Sequence, residues 1–499
     1  MNLPLIIRAE EYNEKTAIVT TEGAFTYGDL LHTSSQIAIG LLQNVEDLQE
    51  QRVAFLIPPG FEYVATQWGI WRAGGIAVPL CISHPRPELE YVITNSGASI
   101  IIAHPNFESI LRSLPPQASL AQEHNLRFIL TSETLPSNVS NLPEIDITRR
   151  ALILYTSGTT GKPKGVVTTH QNIQAQVTSL TTAWEWTSDD SILHILPLHH
   201  IHGIINVLTC ALWAGAECHI LSKFDVKTVW NRICDGDLTL FMAVPTIYVK
   251  LIAAWEIASK EQQEKMSEGC AKMRLMVSGS AALPVQVLEQ WQTISGHFLL
   301  ERYGMTEIGM ALSNPLHGER LAGYVGKPLP HVEVRLVDEN GELVPPETPG
   351  EIQVKSPGVF LEYWQNPQAT AKAFQDGWFR TGDTAVVENG NYRILGRMSV
   401  DIIKTGGYKV SALEIEEVLR SHPDIQECAV VGVADLEWGE RVCAALVLQG
   451  SQALTLEAFR SWAKERLAVY KVPTQILIVE ELPCNAMGKV TKPTVIQLF

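Results

Sequence analysis

Residues Tyr155–Gly165 read YTSGTTGKPKG and directly follow an apolar, strand-like run, Ala151–Thr156. The three glycines of this stretch let the backbone approach a ligand closely and present N–H groups to it. The side chains that add hydroxyl donors or positive charge are Thr156, Ser157, Thr159, Thr160, Lys162 and Lys164. The spacing does not fit the Walker A pattern GxxxxGK[ST]. This composition predicts a loop that grips a polyphosphate, but it would equally suit a flexible surface loop.

Short apolar runs alternate with helical patterns through the first 300 residues. This alternation predicts βαβ units, largely parallel sheets and an α/β fold. The strand-like runs are Arg52–Ile57, Ala98–His104, Arg127–Thr131, Ala151–Thr156 and Ile192–Leu196, and helical spacing is seen in Gly60–Ala73 and Gln171–Ala183.

The composition changes after about residue 310. Short strands separated by Gly/Pro turns, at Val332–Asp338, Gly350–Lys355 and Asn391–Leu395, predict a small β-rich subdomain at about 315–398. A last section has a βαβ-like pattern, with helices at Ala412–Ser421 and Leu456–Leu467 and a strand at Cys428–Val433. We therefore expect a large N-terminal domain of layered sheets over 1–398 and a small α+β domain over 399–499.

Bulk properties exclude some classes of protein. The net charge of −16 argues against a nucleic-acid binder, which normally carries a basic face. The eight cysteines form no CxxC pair, so we expect reduced thiols and no zinc site. The N-terminus lacks a signal-peptide pattern, and no run is long and apolar enough for a membrane span. These features predict a cytoplasmic protein.

Further short motifs follow the phosphate loop along the chain. A Thr beside a carboxylate can bind phosphate and Mg²⁺ together, and an Asp can accept two hydrogen bonds from a ribose diol. The motifs are Gly279–Ala282 (GSAA), Tyr303–Glu307 (YGMTE), Gly377–Asp383 (GWFRTGD), Lys404–Glu414 (KTGGYKVSALE) and Asn485–Lys489 (NAMGK). Together with Tyr155–Gly165 they resemble the signature motifs of the adenylate-forming family of acyl-CoA synthetases, luciferases and nonribosomal adenylation domains.

The resemblance implies ATP-dependent activation of a carboxylic acid to an acyl-AMP, with release of pyrophosphate. It implies that Glu307 serves Mg²⁺, that Thr306 contacts the α-phosphate, and that Lys489 neutralises the charge that develops there. The implied catalytic set is Lys164, Thr306, Glu307 and Lys489. The implied ATP and AMP contacts are Thr156, Ser157, Gly158, Thr159, Thr160, Lys164, Gly279, Ser280, Ala281, Tyr303, Gly304, Met305, Thr306, Asp383, Arg397 and Lys489.

In a second step the family transfers the acyl group to a thiol, here expected to be coenzyme A. Members of the family rotate the C-terminal domain between the two steps, so we expect 399–499 to be mobile about a hinge near Ser399–Asp401. Glycines in KTGGYKVSALE suit a narrow pantetheine tunnel. The candidate coenzyme A residues are Gly406, Gly407, Lys409 and Arg441.

Arg302 precedes the tyrosine of YGMTE, where many members of the family have a small residue. A guanidinium beside the acyl pocket is costly to bury without an anion, so it predicts a short dicarboxylic acid. We expect Arg302 to clamp the second carboxylate, with Ser278 as a donor and His202 at the entrance. Longer strings, such as LPLHHIHG at Leu196–Gly203 and RLMVSGSAALP at Arg274–Pro284, resemble the malonyl-CoA synthetase branch, and methylmalonate is also expected to fit.

Several alternatives remain open from sequence. Arg302 could pair with Glu301, and the enzyme could then activate medium-chain or aryl acids. An adenylating enzyme that loads a carrier protein in trans, or a catalytically inactive nucleotide-binding module, is also compatible. Three histidines at 199, 200 and 202 suggest a metal, but no acidic ligand lies nearby in sequence, so we expect no zinc there. We expect a monomer or a small homo-oligomer.

Overall fold

The structure is a computed structural model that describes residues 3–113, 126–133, 141–156, 162–406, 408–435, 438–450, 454–485 and 489–499. Its described residues form four β-sheets with helices packed against them. This architecture confirms the predicted α/β fold with a large N-terminal region and a smaller C-terminal one. Within the described residues, no helix has the length and apolar character needed to cross a membrane.

The largest sheet has nine strands, and its six central strands are parallel. Antiparallel strands flank these central strands on both sides of the sheet. In spatial order the strands are Lys327–Pro328, Gly309–Ser313, Leu300–Met305, Leu275–Ser278, Leu240–Ala243, Ser191–His194, Glu217–Ile220, Thr16–Thr20 and Gly23–Thr26. Because the central strands are parallel, their carboxyl ends meet at one edge of the sheet.

A seven-stranded sheet carries the phosphate loop. In spatial order its strands are Glu362–Tyr363, Lys164–Thr169, Arg150–Thr156, Ile76–Pro79, Arg52–Leu56, Ile100–Ala103 and Arg127–Leu130. The last five run parallel, and the first two are antiparallel to their neighbours. Buried side chains join this sheet to its surroundings, since the Tyr63 hydroxyl donates to the Leu198 carbonyl at 2.7 Å.

Two smaller sheets follow. The first is antiparallel and comprises Glu333–Val337, Gly350–Lys355, Phe374–Gln375, Trp378–Glu388 and Asn391–Arg397. The second comprises Ile402–Thr405, Tyr408–Ser411, Ile425–Asp435, Gly439–Leu448 and Gln475–Ile478. Only its last strand pairs in parallel, with Gly439–Leu448, and the helix Leu456–Lys464 crosses between the two.

The described α-helices pack against these sheets. A capping box of Thr169 and Asn172 begins the helix that follows the phosphate-loop hairpin. The α-helices are Pro4–Glu11, Tyr27–Leu42, Phe61–Arg72, Arg86–Ser96, Glu108–Arg112, His170–Ala183, Cys210–Ala214, Val226–Asp235, Pro245–Glu256, Lys260–Ala271, Val285–Ser295, Pro367–Ala373, Ala412–Arg420, Leu456–Lys464 and Lys492–Ile496. Short 3₁₀ turns lie at Pro105–Phe107 and Val469–Lys471, and His202–Thr209 is a π-helix.

Most predicted strands and helices are present with ends shifted by one or two residues, including the helix after the phosphate loop, which begins at His170. Between the loop and this helix lies the strand Lys164–Thr169, which we did not predict, and its β-branched residues favour that conformation. The last section contains a βαβ unit formed by Gly439–Leu448, the helix Leu456–Lys464 and Gln475–Ile478. The strand Ile425–Asp435 of this section continues into a long antiparallel hairpin with Gly439–Leu448, a strand that we did not predict.

One buried carboxylate fixes the amino ends of three parallel strands. Asp190, 3% exposed, precedes the strand Ser191–His194. Its oxygens accept hydrogen bonds from Arg274 Nε and Nη2 at 2.7 and 2.6 Å, and from the Thr239 hydroxyl at 2.7 Å. Arg274 and Thr239 directly precede the neighbouring strands. The ion pair therefore holds the register of the sheet at the edge opposite the carboxyl ends.

We expect Asp190→Asn to lower the free energy of unfolding by about 2–4 kcal/mol, because it leaves the Arg274 charge without its partner. Burial acts to raise the pKa of Asp190, but the hydrogen bonds from Arg274 and its neighbours lower it overall. The stabilisation is therefore complete above the unfolded pKa of about 4 and is lost as the pH falls through the folded value. Urea unfolding of both proteins at several pH values measures this. Asp189→Asn is the matched control, since the Asp189 side chain is 94% exposed, and equal losses in both variants would contradict the assignment.

Candidate active site

The sequence motifs meet where the parallel strands of the nine-stranded sheet end. Ser278 is the last residue of its strand and is paired in register with Glu301, the neighbour of Arg302. His202 comes from the loop and π-helix that follow the strand Ser191–His194. Carboxyl ends of parallel strands commonly form ligand sites. The structure thus places the three predicted acid-binding residues at the same edge.

Arg302 is buried and lacks a carboxylate partner. Its side chain is 4% exposed, and its Nε and Nη2 atoms have no hydrogen-bond acceptor. Burial lowers the pKa of Arg302 to about 9, because the charged form is poorly solvated there. Glu301, the alternative partner from sequence, instead accepts from the Gly323 N–H at 3.1 Å. Within the described residues no acidic group comes within ion-pairing distance, so Arg302 neither pairs with Glu301 nor faces solvent.

Further unpartnered polar atoms surround this guanidinium. The Ser278 hydroxyl is buried and has no partner, and the same holds for Nε2 of His202. The other ring nitrogen of His202, Nδ1, lies 3.1 Å from the Ser280 hydroxyl. Asn206 is fully buried on the same π-helix, and neither side-chain polar atom finds a partner. Buried polar atoms are normally hydrogen-bonded, so this concentration indicates a site for a polar ligand.

Two histidines beside Arg302 have lowered pKa values. Burial lowers the pKa of His200 to about 4, and the charges of His199, Arg302 and Lys489 act in the same direction. Burial also lowers the pKa of His202 well below its ordinary value, again with Arg302 contributing. Both pKa shifts thus reflect burial close to the positive charge of Arg302. An anion bound here would meet the Arg302 guanidinium, whose Nε and Nη2 have no hydrogen-bond acceptor among the described residues.

A second group of residues lies around Asp383. The Tyr303 hydroxyl donates to Asp383 Oδ2 at 2.6 Å, and Arg397 Nε donates to Oδ1 at 2.8 Å. Burial acts to lower the pKa of Arg397, but the charge of Asp383 raises it overall. The motifs GWFRTGD and YGMTE are thus joined directly, although they are distant in sequence. This pairing holds the carboxylate that we predict to bind ribose.

Glu307 lies in a second buried pair. Its Oε1 accepts from the Tyr363 hydroxyl at 2.8 Å, and Lys164 Nζ lies 4.9 Å from the Tyr363 ring centroid. Burial raises the pKa of Glu307, although Tyr363 and the charges of Arg397 and Lys164 act against it. A carboxylate has further acceptor capacity, and a bound cation would stabilise its charged form. Glu307 therefore fits the predicted role of a Mg²⁺ ligand.

Only part of the phosphate loop falls within the described residues. Thr156 and Lys164 face each other as the last paired residues of the hairpin Arg150–Thr156 and Lys164–Thr169. The predicted contacts Ser157, Gly158, Thr159 and Thr160 lie outside the described residues. The loop is therefore positioned by the end of an antiparallel hairpin, whose second strand also presents Lys164 towards Tyr363.

Tight backbone packing accompanies the predicted nucleotide contacts. A Cβ atom at Gly279 would lie 2.4 Å from the Arg302 guanidinium carbon, and one at Gly304 would lie 2.1 Å from the Gly309 carbonyl oxygen. Ser280 has a φ of +69°, a strained value for a residue with a side chain. Ala281 is exposed beside it, Met305 ends its strand half-buried, and Thr306 is buried.

Lys489 lies within electrostatic range of both groups. Its side chain keeps solvent-accessible surface, but desolvation by the surrounding protein lowers its pKa, and the charge of Arg397 contributes. Asp383 and Asp401 partly offset this effect. The backbone N–H of Lys489 donates to the Asn485 side chain at 3.0 Å. The structure thus brings the predicted adenylation lysine within electrostatic range of His200 and Asp383.

The predicted coenzyme A residues have other contacts in this arrangement. Lys409 forms an ion pair with Glu339, and Arg441 forms one with Asp435. Gly406 has a φ of +54°, and a Cβ atom there would meet the Trp438 ring at 2.8 Å. Gly407 lies outside the described residues. The described contacts thus bring Lys489, and not this hairpin, to the nucleotide residues.

Sequence reasoning missed several residues around the site. Tyr363 and Asn206 belong to no motif that we identified, and only their contacts reveal them. Asp401 was noted merely as part of the hinge. Its Oδ2 accepts from the Arg397 N–H at 3.0 Å, and its Oδ1 pairs with Lys492 at 2.6 Å. Lys492 also pairs with Glu416 at 2.8 Å, so it joins the end of the chain to the hinge.

Comparison with known proteins agrees with this geometry. The AMP-binding enzyme family matches residues 6–364, and the AMP-binding enzyme C-terminal domain matches residues 414–489. A mitochondrial malonate–CoA ligase, ACSF3, from Xenopus laevis is 47% identical over 100% of this chain and 92% of its own length.

Two solved structures of MatB from Rhodopseudomonas palustris are similar over 100% of this chain and 99% of theirs. The ATP-bound form has a TM-score of 0.90 at 32% identity, and the apo form has a TM-score of 0.81 at 31% identity. Both family matches and full-length similarity therefore lead to one conclusion. The chain belongs to the AMP-binding enzyme family.

Proposed function

We propose that this protein is a malonate–CoA ligase that couples ATP cleavage to thioester formation. One observation carries the choice of acid: the buried guanidinium of Arg302 has two N–H donors without an acceptor and no carboxylate partner among the described residues. The similarity to a frog malonate–CoA ligase and to MatB supports the proposal. A monocarboxylic acid would leave this charge uncompensated.

The chemistry of the pocket favours a short dicarboxylate. The distal carboxylate of malonate can accept from Arg302, and the Ser278 hydroxyl and His202 Nε2 offer further polar contacts. Leaving a buried charge unpaired costs several kcal/mol, which the second carboxylate of the substrate removes. A methyl branch costs only about 1–3 kcal/mol in such a pocket, so activity with methylmalonate stays a prediction. No observation favours a fatty or aryl acid.

In the first half-reaction an oxygen of the proximal carboxylate attacks the α-phosphorus of ATP. A new P–O bond forms, the bond to the β-phosphate oxygen breaks, and pyrophosphate leaves with the electron pair. Lys489 and Thr306 stabilise the negative charge that grows on the α-phosphate. Asp383, held by Tyr303 and Arg397, binds the ribose. Glu307 would hold Mg²⁺, which when bound neutralises phosphate charge.

In the second half-reaction the coenzyme A thiolate attacks the acyl carbon. The C–S bond forms, the C–O bond to phosphate breaks, and AMP leaves; the thiol proton passes to solvent. We propose that residues 399–499 rotate about the segment near Asp401 and bring Gly406, Gly407, Lys409 and Arg441 to the acyl-AMP. In the described arrangement Lys489 lies within electrostatic range of Arg397 and Asp383. The structure also has a higher TM-score to ATP-bound MatB, 0.90, than to apo MatB, 0.81.

Two further expectations stay predictions. The frog relative is named as mitochondrial, so the cytoplasmic location expected from sequence needs a direct measurement in cells. A monomer or a small homo-oligomer is expected in solution, and light scattering measures the mass.

We expect the wild-type protein to use malonate far better than butyrate, hexanoate or benzoate. Arg302→Leu should lower kcat/KM for malonate by about 10²–10³-fold, since two charge-assisted hydrogen bonds are lost. Its activity with butyrate should rise, because the leucine pocket accepts an apolar chain. The measurement is thioester formation with ATP and coenzyme A across these acids.

Arg112→Ala is the control for this experiment, because the Arg112 side chain is 52% exposed and remote from the strand ends that form the site. Replacing the buried charge by leucine should not lower the melting temperature, which separates a specific effect from unfolding. Wild-type preference for hexanoate or benzoate, or unchanged malonate turnover in Arg302→Leu, would refute the proposal. Hydroxylamine trapping without coenzyme A detects adenylation and identifies an enzyme that needs a carrier protein instead.

Lys489→Ala should separate the two half-reactions. We expect adenylation to fall by about 10²–10³-fold, because a cation near the α-phosphate is removed. Thioester formation from synthetic malonyl-AMP should stay within about threefold of wild type. Rapid-quench assays of each half-reaction measure both rates. Lys464→Ala, a change of an exposed helical lysine, is the control. Equal slowing of both steps would show that Lys489 does not act in adenylation alone.

A further inference from the structure

A cluster of three metal-ligating side chains lies outside the residues used above. Cys81, His84 and His199 each offer a ligand atom, and these atoms all lie within 4.8 Å of one another. Cys81 is 4% exposed, and the two histidines are half-buried. Cys81 and His84 follow the strand Ile76–Pro79 of the seven-stranded sheet. His199 follows the strand Ser191–His194 of the other large sheet.

The geometry of the cluster suits a single metal ion. Ligand atoms of a tetrahedral zinc with one sulfur and two nitrogens stand about 3.3–3.6 Å apart, so closure needs side-chain shifts of about 1 Å. The rings of His84 and His199 are 5.7 Å apart and tilted by 59°, so they converge without stacking. Nδ1 of His84 lies 3.3 Å from Glu88 Oε2, which leaves Nε2 as the ring nitrogen available to an ion.

The surroundings of Cys81 differ from those of the other buried cysteines. Burial raises the pKa of Cys210, Cys218 and Cys270, as expected for inert core thiols. Cys81 instead has ring nitrogens of His84 and His199 within 4.8 Å of its sulfur, and the Ser83 hydroxyl lies 3.1 Å from it. The thiolate is the form of cysteine that binds metals. The Glu88 carboxylate beside His84 resembles the acidic partner that commonly orients a metal-binding histidine.

We propose that Cys81, His84 and His199 bind one Zn²⁺ ion, with a fourth position left for water or another ligand. A thiolate with two imidazoles is a ligand set that zinc prefers. This site differs from the trio of histidines that the sequence suggested, since His200 and His202 lie towards Arg302 instead. It also differs from the expectation that the cysteines take part in no zinc site.

Zinc at this position would connect the two large sheets. The loop that carries His199 also carries His202 of the acid pocket, and Tyr63 already holds it at the Leu198 carbonyl. The Tyr63 contact comes from the helix Phe61–Arg72, and a bound ion would add a separate link from this loop to the segment after Ile76–Pro79. We therefore expect zinc to raise the melting temperature of the protein by several degrees.

Cobalt substitution tests the proposal on the full-length, reduced and metal-stripped protein. Co²⁺ should bind with one equivalent and give a thiolate-to-cobalt charge-transfer band together with intense visible bands typical of tetrahedral coordination. Zn²⁺ should displace it with one-to-one stoichiometry. Cys81→Ser should abolish the charge-transfer band, and His84→Ala and His199→Ala should each weaken zinc binding at least about tenfold.

Matched controls are Cys484→Ser, which changes an exposed cysteine, and His317→Ala, which changes a histidine that is 76% exposed. Both should bind zinc as the wild type does. Absence of a charge-transfer band in the wild-type protein would overturn the proposal without recourse to any variant. A band that persists in Cys81→Ser, or one that is lost in Cys484→Ser, would assign the metal to another site and equally overturn it.

Discussion

A positive charge held out of water without a partner is the constraint around which this site is built. A guanidinium stays buried without a partner only where rigid packing prevents its side chain from reaching solvent or a carboxylate. The neighbouring strands provide this rigid packing. Gly279 admits the guanidinium where any side chain would collide, and Glu301 is engaged by Gly323 and so cannot neutralise it. In the proposed function the second carboxylate of the substrate supplies the missing partner, and this would select for a diacid.

The nucleotide half of the site depends on a chain of ionic contacts that crosses the predicted domain boundary. Asp383 holds Arg397, whose backbone N–H is bound by Asp401. Asp401 in turn pairs with Lys492, which also contacts Glu416. The carboxylate that we propose to bind ribose is thereby connected to the helix Lys492–Ile496. If residues 399–499 rotate about this segment, Asp401 must lose its contact with either Arg397 or Lys492, or exchange these partners for others.

Candidate site residues could be named from the sequence because each motif contains its chemistry within a few positions, and their roles stay predictions. YGMTE and GWFRTGD could be read singly, and the Tyr303–Asp383 contact then follows from the fold. The features that were not predicted from the sequence depend on residues that are far apart in the chain. Tyr363 reaches Glu307 from a two-residue strand, and Cys81 meets His199 only because two sheets pack together. The π-helix at His202–Thr209 also escaped, since an apolar run does not distinguish its geometry from an α-helix.

The amino and carboxyl ends of the parallel strands in the nine-stranded sheet have different roles. At the amino ends Asp190 connects three strands before they begin, and at the carboxyl ends lie Ser278 and Arg302, which we propose to bind the acid. The length of the strands separates the two ends, so substitutions at one end and at the other should have nearly additive effects on the free energy of unfolding. Substitutions at the carboxyl ends can therefore change the specificity for the acid without weakening the contacts of Asp190 at the amino ends. The same separation would let an engineer first strengthen the amino edge and then explore new substrates at the carboxyl edge.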